Sequence, residues 1–283
     1  MVDLHCHTNE SDGTDSPAEL IVKAIAEGVT VLSITDHDTF AAYEALEGCE
    51  LPLELIQGVE ISTRAKGKSI HLLAYWPGAE APPPFLLWLR DMQEIRRERN
   101  RRLAERLRSL GLPVTLEEAE ALGRTVTGRV HFAQLLQQKG IVATIPEAFD
   151  RFIGENAPGY VEMEDPTTSA AVRVVREHGG VPVLAHPIRL GMRDAEKEEA
   201  FIREQVEAGL LGLEVIHSDH DAAARARYAA LAAKYSLITT GGSDYHGLVK
   251  PRVALGSGVE GNVAVPREWF EKLKQLGARN GSR

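Results

Sequence analysis

The stretch HCH at residues 5–7 sets two imidazoles two positions apart, and Asp12 follows in the turn-like NESDG. Side chains two apart on a β-strand share a face, so His5 and His7 can bind one ion together while Cys6 points away. The pattern recurs in SDYH, where Asp244 and His246 flank Tyr245. Other candidate ligands stand singly: His37 in TDHD, Glu60 in GVEIS, His71 in IHLLAY and His186 in LAHP. Imidazole suits zinc, iron and related transition metals, whereas carboxylate suits harder ions such as manganese or magnesium. A mixed His, Asp and Glu set without thiolate suits a catalytic site with positions open to water, not a closed structural zinc site. Each residue alone is equally a packed or turn-forming side chain. What argues for chemistry is that they cluster at the ends of expected strands. No Ser-His-Asp set and no GxSxG turn offers a protein nucleophile.

The elements that would position these residues alternate. Short Val-, Ile- and Leu-rich runs, VDLHCH, VTVLSITDH, LELIQGVEIS and SIHLLAYW, read as buried strands. Between the first two, Ser16, Pro17 and Glu19 mark a helix start and Gly28 its end. From about residue 81 to 166 the pattern is helical throughout, including one long arginine-rich helix. Alternation returns with VPVLAHP, LLGLEVIH and LITTGGSDYH, each preceded by a helix, and PREWFEKLKQLG forms a last one. Seven strands are expected, four before the helical segment and three after. That predicts an α/β fold, with residues 1–80 and 167–283 as one discontinuous domain and 81–166 as a helical insertion. In a (β/α) barrel the C-terminal strand ends meet at one mouth, which would bring distant ligands face to face.

Composition narrows the partners. The 283 residues are 43% hydrophobic and 26% charged, with a formal net charge of −9. Such a chain is a poor nonspecific binder of duplex nucleic acid, whose phosphates attract Lys and Arg. Bound cations can reverse the sign at one site, so an anionic substrate fits. No run is long enough to span a bilayer, and no basic-then-apolar leader precedes the first strand pattern. The expected location is the cytoplasm, with Cys6 and Cys49 reduced and no obligate protein partner.

The pieces DLHCHTNESDG, SITDHDT, GVEIS, HLLAY, VLAHP and GGSDYHG, in this order, resemble the polymerase and histidinol-phosphatase (PHP) family of metal-dependent phosphoesterases. GRVHFAQLLQQKGIV, EAFDRFIGENAPGYV and GLEVIHSDHD resemble one subgroup of it, whose fold is a distorted (β/α)7 barrel with a helical insertion. The resemblance implies three divalent ions, with manganese foremost and iron or zinc as alternatives. The first would take His5, His7, Glu60 and Asp244, the second Glu60, His71 and His186, and the third Asp12, His37 and His246. It implies a small phosphorylated nucleotide or short oligonucleotide as substrate. The leading expectation is removal of the 3′-phosphate from nucleoside 3′,5′-bisphosphates, followed by 5′-end degradation of short RNA or opening of cyclic phosphates. CHT stands where THS is usual, GRVH where GRPH is common, Gln134 for a frequent Arg, and His217 in a variable run. None of these touches an implied ligand.

Other residues carry weaker expectations. Arg129 and His131 open a helix, whose N-terminus attracts phosphate, and Arg189 follows LAHP; all three are expected to bind substrate. His220 is expected to bind phosphate or protonate a leaving group, and His217 to be structural. Asp36 is expected to serve catalysis by orienting a ligand. The stretch from Arg90 to Arg108 reads as a solvated helix face, with Glu98 and Arg102 spaced as a pair. Two other classes stay open: a C–N hydrolase of similar architecture, which would lack the third site, and a metal-stabilised binding module without activity.

Overall fold

The computed structural model describes residues 1–65, 67–192 and 194–280. Its strands form two sheets. In the first, β1 (Val2–Cys6), β2 (Val31–Ile34) and β3 (Glu54–Leu55) are parallel. In the second, the order is β4 (Gln57–Ala65), β5 (Lys68–Trp76), β6 (Val181–Leu184), β7 (Gly212–His217) and β8 (Ile238–Gly242). β5 is antiparallel to both β4 and β6, and β6, β7 and β8 are parallel.

Among the described residues, eight strands therefore replace the expected seven, and the parallel pattern is broken. The third expected strand divides at Ile56: β3 pairs with β2, while β4 leaves to pair with β5. The link between Ala65 and Lys68 is far too short for a parallel crossover, which needs a dozen residues or more, so β4 and β5 must form a hairpin. The ladders resolve into two sheets with no closed seven-strand barrel. They meet at isolated bridges, Cys6 to Tyr245 on one side and His37 to Glu60 on the other. Backbone hydrogen bonds reinforce both junctions: Asp244 N to His5 O at 2.7 Å and His7 N to Tyr245 O at 2.9 Å, then Asp38 N to Glu60 O at 3.0 Å and Glu60 N to Asp36 O at 3.3 Å.

Helices cover the sheets. α1 (Pro17–Ala26) starts with the expected capping box, in which Ser16 and Glu19 bond each other's backbone. α2 (Ala41–Ala45) is short. α3 (Pro83–Ser109), α4 (Leu116–Glu120), α5 (Arg129–Gln138) and α6 (Ile145–Ala148) follow, then a π-turn over Phe149–Ile153. α7 (Thr168–Glu177), α8 (Ala195–Ala208), α9 (Ala222–Lys234) and α10 (Arg267–Asn280) complete the chain. None of the described helices is long and apolar enough to cross a membrane.

Alternation along β5 feeds two cores. Leu72 and Ala74 pack toward α7, α8 and α9, whereas Leu73 and Tyr75 join Val2, Leu4 and Phe270 between the sheets and α10. A separate apolar cluster lies wholly within the helical segment, around Leu103, Leu107, Phe132 and Leu136. α3 serves both: Phe85 and Leu89 enter the main core, and Leu103 and Leu107 the helical one.

One glycine decides how closely the sheets meet. A Cβ on Gly242 would lie 2.4 Å from the backbone nitrogen of His5 and 2.4 Å from its Cβ. Only glycine lets the end of β8 lie against β1, so Gly242 sets where the His5 imidazole stands. Asp3 seals the same junction: it is fully buried and accepts from Ser243 N, Ser243 Oγ and Gly256 N at 2.6–2.9 Å.

Candidate metal centre and the pocket beside it

Strand ends, the interiors of β4 and β5 and one loop bring all nine expected ligands together. His5 and His7 end and follow β1, His37 follows β2, Glu60 lies in β4 and His71 in β5. His186 follows β6, and Asp244 and His246 follow β8. Asp12 enters from the loop after β1. Three of the five non-glycine residues with positive φ among those described lie here: Asp38 at 54°, His186 at 24° and Asp244 at 56°. Such backbone is strained for a side chain with Cβ, and it persists where surrounding contacts hold it.

Glu60 is the centre. Its Oε1 lies 2.8 Å from His186 Nε2 and 3.0 Å from His71 Nδ1. Its Oε2 lies 3.2 Å from His5 Nε2, 3.0 Å from His7 Nε2 and 3.4 Å from His37 Nδ1. Asp244 Oδ1 adds a second carboxylate oxygen 3.4 Å from His5 Nε2 and 3.5 Å from His7 Nε2. A neighbouring group joins Asp12, His37 and His246 with His7; Asp12 Oδ1 is 3.3 Å from His246 Nε2. A further group joins His37, Glu60 and His71.

These donor sets fit divalent cations. Nε2 of His5, Nε2 of His7 and Nδ1 of His37 are buried and have no hydrogen-bond partner, although carboxylate oxygens surround them. Lone pairs that converge on common points without pairing are what a cation would satisfy. The charges agree. Burial opposes ionisation of Glu60, but His5, His71 and His37 outweigh it and hold the carboxyl well below its usual range. Burial pushes His37 down to about 4 and lowers His186 and His246, so all three are neutral imidazoles near pH 7. His7 is raised to about 9: burial opposes this, and Asp244, Glu60 and Asp12 prevail. Cation loading must therefore displace protons.

Around the ligands stand residues that orient them. Asp36 accepts from Thr8 N at 2.8 Å, Thr8 Oγ1 at 2.5 Å and Ser11 Oγ at 2.6 Å, and Ser11 Oγ lies 3.4 Å from His7 Nδ1. Asp36 thus acts through the 8–11 loop and stands where a positioning residue would, in line with the expectation that it orients a ligand. His217 has the orienting task that sequence reading missed. Asp219 N donates to its Nδ1 at 2.9 Å, so its proton sits on Nε2, which lies 3.2 Å from Asp244 Oδ2. Arg189 and Lys250 reach the same oxygen at 2.9 and 2.6 Å, and Arg189 also grips Asp219.

Glu214 was missed too. It is fully buried, accepts from His5 Nδ1 at 2.9 Å, and holds the His186 N–H at 2.6 Å. A charged residue inside the apolar strand LLGLEVIH was the available signal. It fixes the His5 tautomer with Nε2 facing the cluster. Glu214→Gln should weaken metal affinity about 10- to 100-fold, because an amide cannot accept on both sides. Competitive metal titration against a chelating dye measures this; unchanged affinity would remove Glu214 from that role.

Two expected substrate contacts move elsewhere. His131 is buried and its Nδ1 accepts the Gly128 N–H at 2.9 Å, so the ring is spent on closing the start of α5. His220 is buried with its ring between those of His217 and Tyr228, at 5.3 and 5.0 Å, and its Nδ1 lies 2.9 Å from Val215 O. Its Nε2 is buried and has no hydrogen-bond partner.

Beside the metal centre lies a cavity of about 240 Å³, whose walls include Asp12, His37 and His71 on one side and Arg96, Arg99 and Arg129 on another. The expected solvated face of α3 is only half right. Arg97, Arg101 and Arg102 are exposed, but Arg96 and Arg99 are 8% and 5% exposed and turn inward. Arg96 pairs with Asp38 and Ser62, tying α3 to the strands that carry His37 and Glu60. The helical segment also grips the loop before Asp12, where Glu10 meets Thr125 at 2.6 Å and Arg124 at 3.3 Å.

An α/β fold whose strand ends converge imidazoles and carboxylates on a shared Glu, next to an arginine-lined cavity, defines a metal-dependent hydrolase of phosphate esters. The PHP domain model matches residues 3–151, and the chain belongs to that family. It is similar to a Haemophilus influenzae protein named "5'-3' exoribonuclease", at 32% identity over 86% of this chain and 89% of that one. It is also similar to an Eggerthella lenta "phosphoribosyl 1,2-cyclic phosphate 1,2-diphosphodiesterase", at 35% over 87% and 94%. A Chromobacterium violaceum "3',5'-nucleoside bisphosphate phosphatase" matches at 29% over 87% of each. A crystal structure from Bifidobacterium adolescentis, assigned provisionally as a metal-dependent phosphoesterase, superposes with a TM-score of 0.83 at 31% identity, covering 97% of this chain and 96% of that one.

Proposed function

We propose that this enzyme removes a phosphate from nucleotides, first of all the 3′-phosphate of nucleoside 3′,5′-bisphosphates, using three divalent ions. The observation that carries the reading is Glu60, one carboxylate that meets five imidazoles and splits its oxygens between adjoining donor sets. His5, His7, Glu60 and Asp244 would hold one ion, Glu60, His71 and His186 a second, and Asp12, His37 and His246 a third. Manganese is the first candidate, then iron or zinc, since the donors are imidazole and carboxylate. Divalent ions at such sites supply Lewis acidity toward water and phosphoryl oxygens.

The chain's own residues do the rest. Glu214, Asp36 and His217 orient ligands, and buried walls limit water. Arg129 and Arg189 stand at the edges of the centre, where substrate phosphate would arrive. We read the two sheets as arcs of one interrupted, distorted (β/α)7 barrel, and residues 81–166 as a helical unit laid over its mouth. Support comes from the bridges at both junctions and the separate helical core. A cytoplasmic location belongs to the same reading; Cys6 and Cys49 are unpaired.

The test is phosphate release from bisphosphates, 3′-monophosphates, cyclic nucleotides and 5′-phosphorylated oligomers, with manganese, iron or zinc restored to metal-stripped protein. The expected result is metal-dependent release, fastest from bisphosphates. Faster trimming of oligomers would favour the exoribonuclease activity that one relative is named for. Silence throughout, with turnover of an amide, would overturn the reading.

A further inference from the structure

The nine ligands are not held alike. Eight of them lie on strands or just past a strand end, where the backbone ladders fix them. Asp12 alone comes from a loop, the one between β1 and α1. Its oxygens lie 3.3 Å from His246 Nε2 and 3.7 Å from His37 Nε2. The loop closes on itself, with Asn9 N donating to Asp15 O at 2.8 Å and Gly13 N to Thr8 O at 2.9 Å. Asp36 holds Thr8 and Ser11, and Thr125 holds Glu10. None of these partners belongs to the segment that carries His246. None of them therefore sets how far Asp12 stands from His246.

Tyr245 does. It stands between the ligands Asp244 and His246, yet its ring belongs to the apolar cluster of Cys6, Leu20 and Ile34 and is 6% exposed. Its carbonyl accepts from His7 N at 2.9 Å, which fixes its backbone to the end of β1. Its hydroxyl donates to Asp15 Oδ2 at 2.7 Å, and the Lys23 ammonium donates to both groups. Lys23 lies on α1, the helix into which the loop runs, so its bond to Asp15 ties the loop only to its own continuation. The tyrosine hydroxyl ties the loop to the segment of His246. Bonds of this kind, to a carboxylate and an ammonium, are about twice as strong as neutral ones. A second tie lies next to it, where Leu248 N donates to Thr14 Oγ1 at 2.9 Å. Residue 247 must be glycine for that approach: its φ is 63°, and a Cβ there would stand 2.0 Å from Thr14 Oγ1.

We propose that Tyr245 is a positioning residue for the third ion: through its hydroxyl on Asp15 it holds the loop of Asp12 at the distance from His246 that the ion needs. This rests on the reading of Asp12, His37 and His246 as one ion's donor set, and it names the residue that decides how firmly that set is held. Tyr245 touches neither ion nor substrate. Its side chain acts on Asp12 through Asp15, and its backbone carries His246. The other two donor sets need no such tie, because His5, His7, Glu60, His71, His186 and Asp244 are carried by paired strands and the residues just after them. Loss of the hydroxyl therefore loosens one ion of the three and leaves two.

The test is Tyr245→Phe, which keeps the ring in its cluster and removes only the hydroxyl. Metal-stripped protein is titrated with manganese, and bound ions are counted by calorimetry and by the paramagnetic resonance of free manganese. Wild type should bind three ions. Tyr245→Phe should bind two as tightly as wild type and the third about 10-fold or more weakly, as loss of one hydrogen bond to a charged group implies. In metal-free protein the amides of Asn9 and Gly13 should exchange with solvent about 10-fold faster in the variant, for the same reason. Phosphate release should fall at limiting manganese and return at excess. Lys23→Met, which leaves the bond from Tyr245 to Asp15, should shift the third affinity less. Tyr235→Phe loses a hydroxyl bonded to Glu199 at 2.7 Å, between α8 and the end of α9, and should leave all three affinities as they are. Three ions held with unchanged affinity in Tyr245→Phe overturn the proposal. A variant that melts well below wild type and loses all three ions alike makes Tyr245 a residue of general stability and overturns it too. Only two ions in wild type would instead overturn the three-ion reading, and the proposal with it, a failure distinct from an unmoved third affinity.

Discussion

Glu60→Gln should abolish metal-dependent turnover, by at least about a thousandfold, which corresponds to roughly 4 kcal/mol of transition-state stabilisation. The substitution keeps size and removes one charge. Its effect is large because both carboxylate oxygens are in use: Oε1 meets His71 and His186, and Oε2 meets His5, His7 and His37. An amide offers one oxygen and one NH2, and the NH2 cannot ligate, so one donor set is lost whichever way it turns. The buried imidazoles would also lose the charge that holds them together. Bound metal per chain, measured by elemental analysis, should fall along with phosphate release, while circular dichroism stays native. Activity within tenfold of wild type would show that Glu60 is not shared between ions.

Asp244→Asn should cost nearly as much, about a hundredfold or more in kcat, but by a different route. Here the two oxygens face opposite ways. Oδ1 looks toward His5 and His7, and Oδ2 accepts from Arg189 and Lys250, with His217 Nε2 3.2 Å away. Burial opposes ionisation of Asp244, yet Lys250 and Arg189 prevail and keep its carboxyl well below the usual range. The asparagine must turn its NH2 either toward two cationic donors or toward the ligand cluster. Turned outward, it repels Arg189 and Lys250; turned inward, it presents no lone pair. Because Arg189 and Lys250 are partly solvated, the loss should appear in metal occupancy and kcat more than in stability. Comparing metal content, kcat and the urea midpoint tests this. A large drop in the midpoint with full metal content would make Asp244 a structural acid.

These two carboxylates also show how differently residues of one site are read. His5 and His7, or Asp244 and His246, declare themselves locally, because a strand puts side chains two apart on one face whatever lies around it. Glu60 stood out in GVEIS as a candidate ligand, and the family resemblance gave it to two ions, but its contact with the His37 ring of a third set was not legible, since five imidazoles from four strands meet it. Glu214 looked like an ordinary acid in a strand, and only its burial against His5 and His186 gives it a part. His220 and His131 stand in suggestive stretches, but both rings are buried, and no spacing tells which ring faces a cavity and which packs against others. In α3 the arginines follow each other so closely that the helix has basic residues on every side. Arg96 and Arg99 differ from Arg97 and Arg101 only in which side the rest of the protein covers.

By itself, the sequence determined the alternation of strand and helix, the helical stretch between residues 81 and 166, and the inventory of metal-binding side chains at strand ends. These are properties of neighbours along the chain, governed by backbone periodicity and capping. Tertiary structure alone decided that LELIQGVEIS splits between two sheets, that β4 and β5 form a hairpin, that Gly242 lets β8 lie against β1, and that an arginine pair is buried opposite the ligands. Each depends on contacts between residues far apart in sequence, where strand pairing, close packing and the cost of burying charge act together and no local pattern records the outcome.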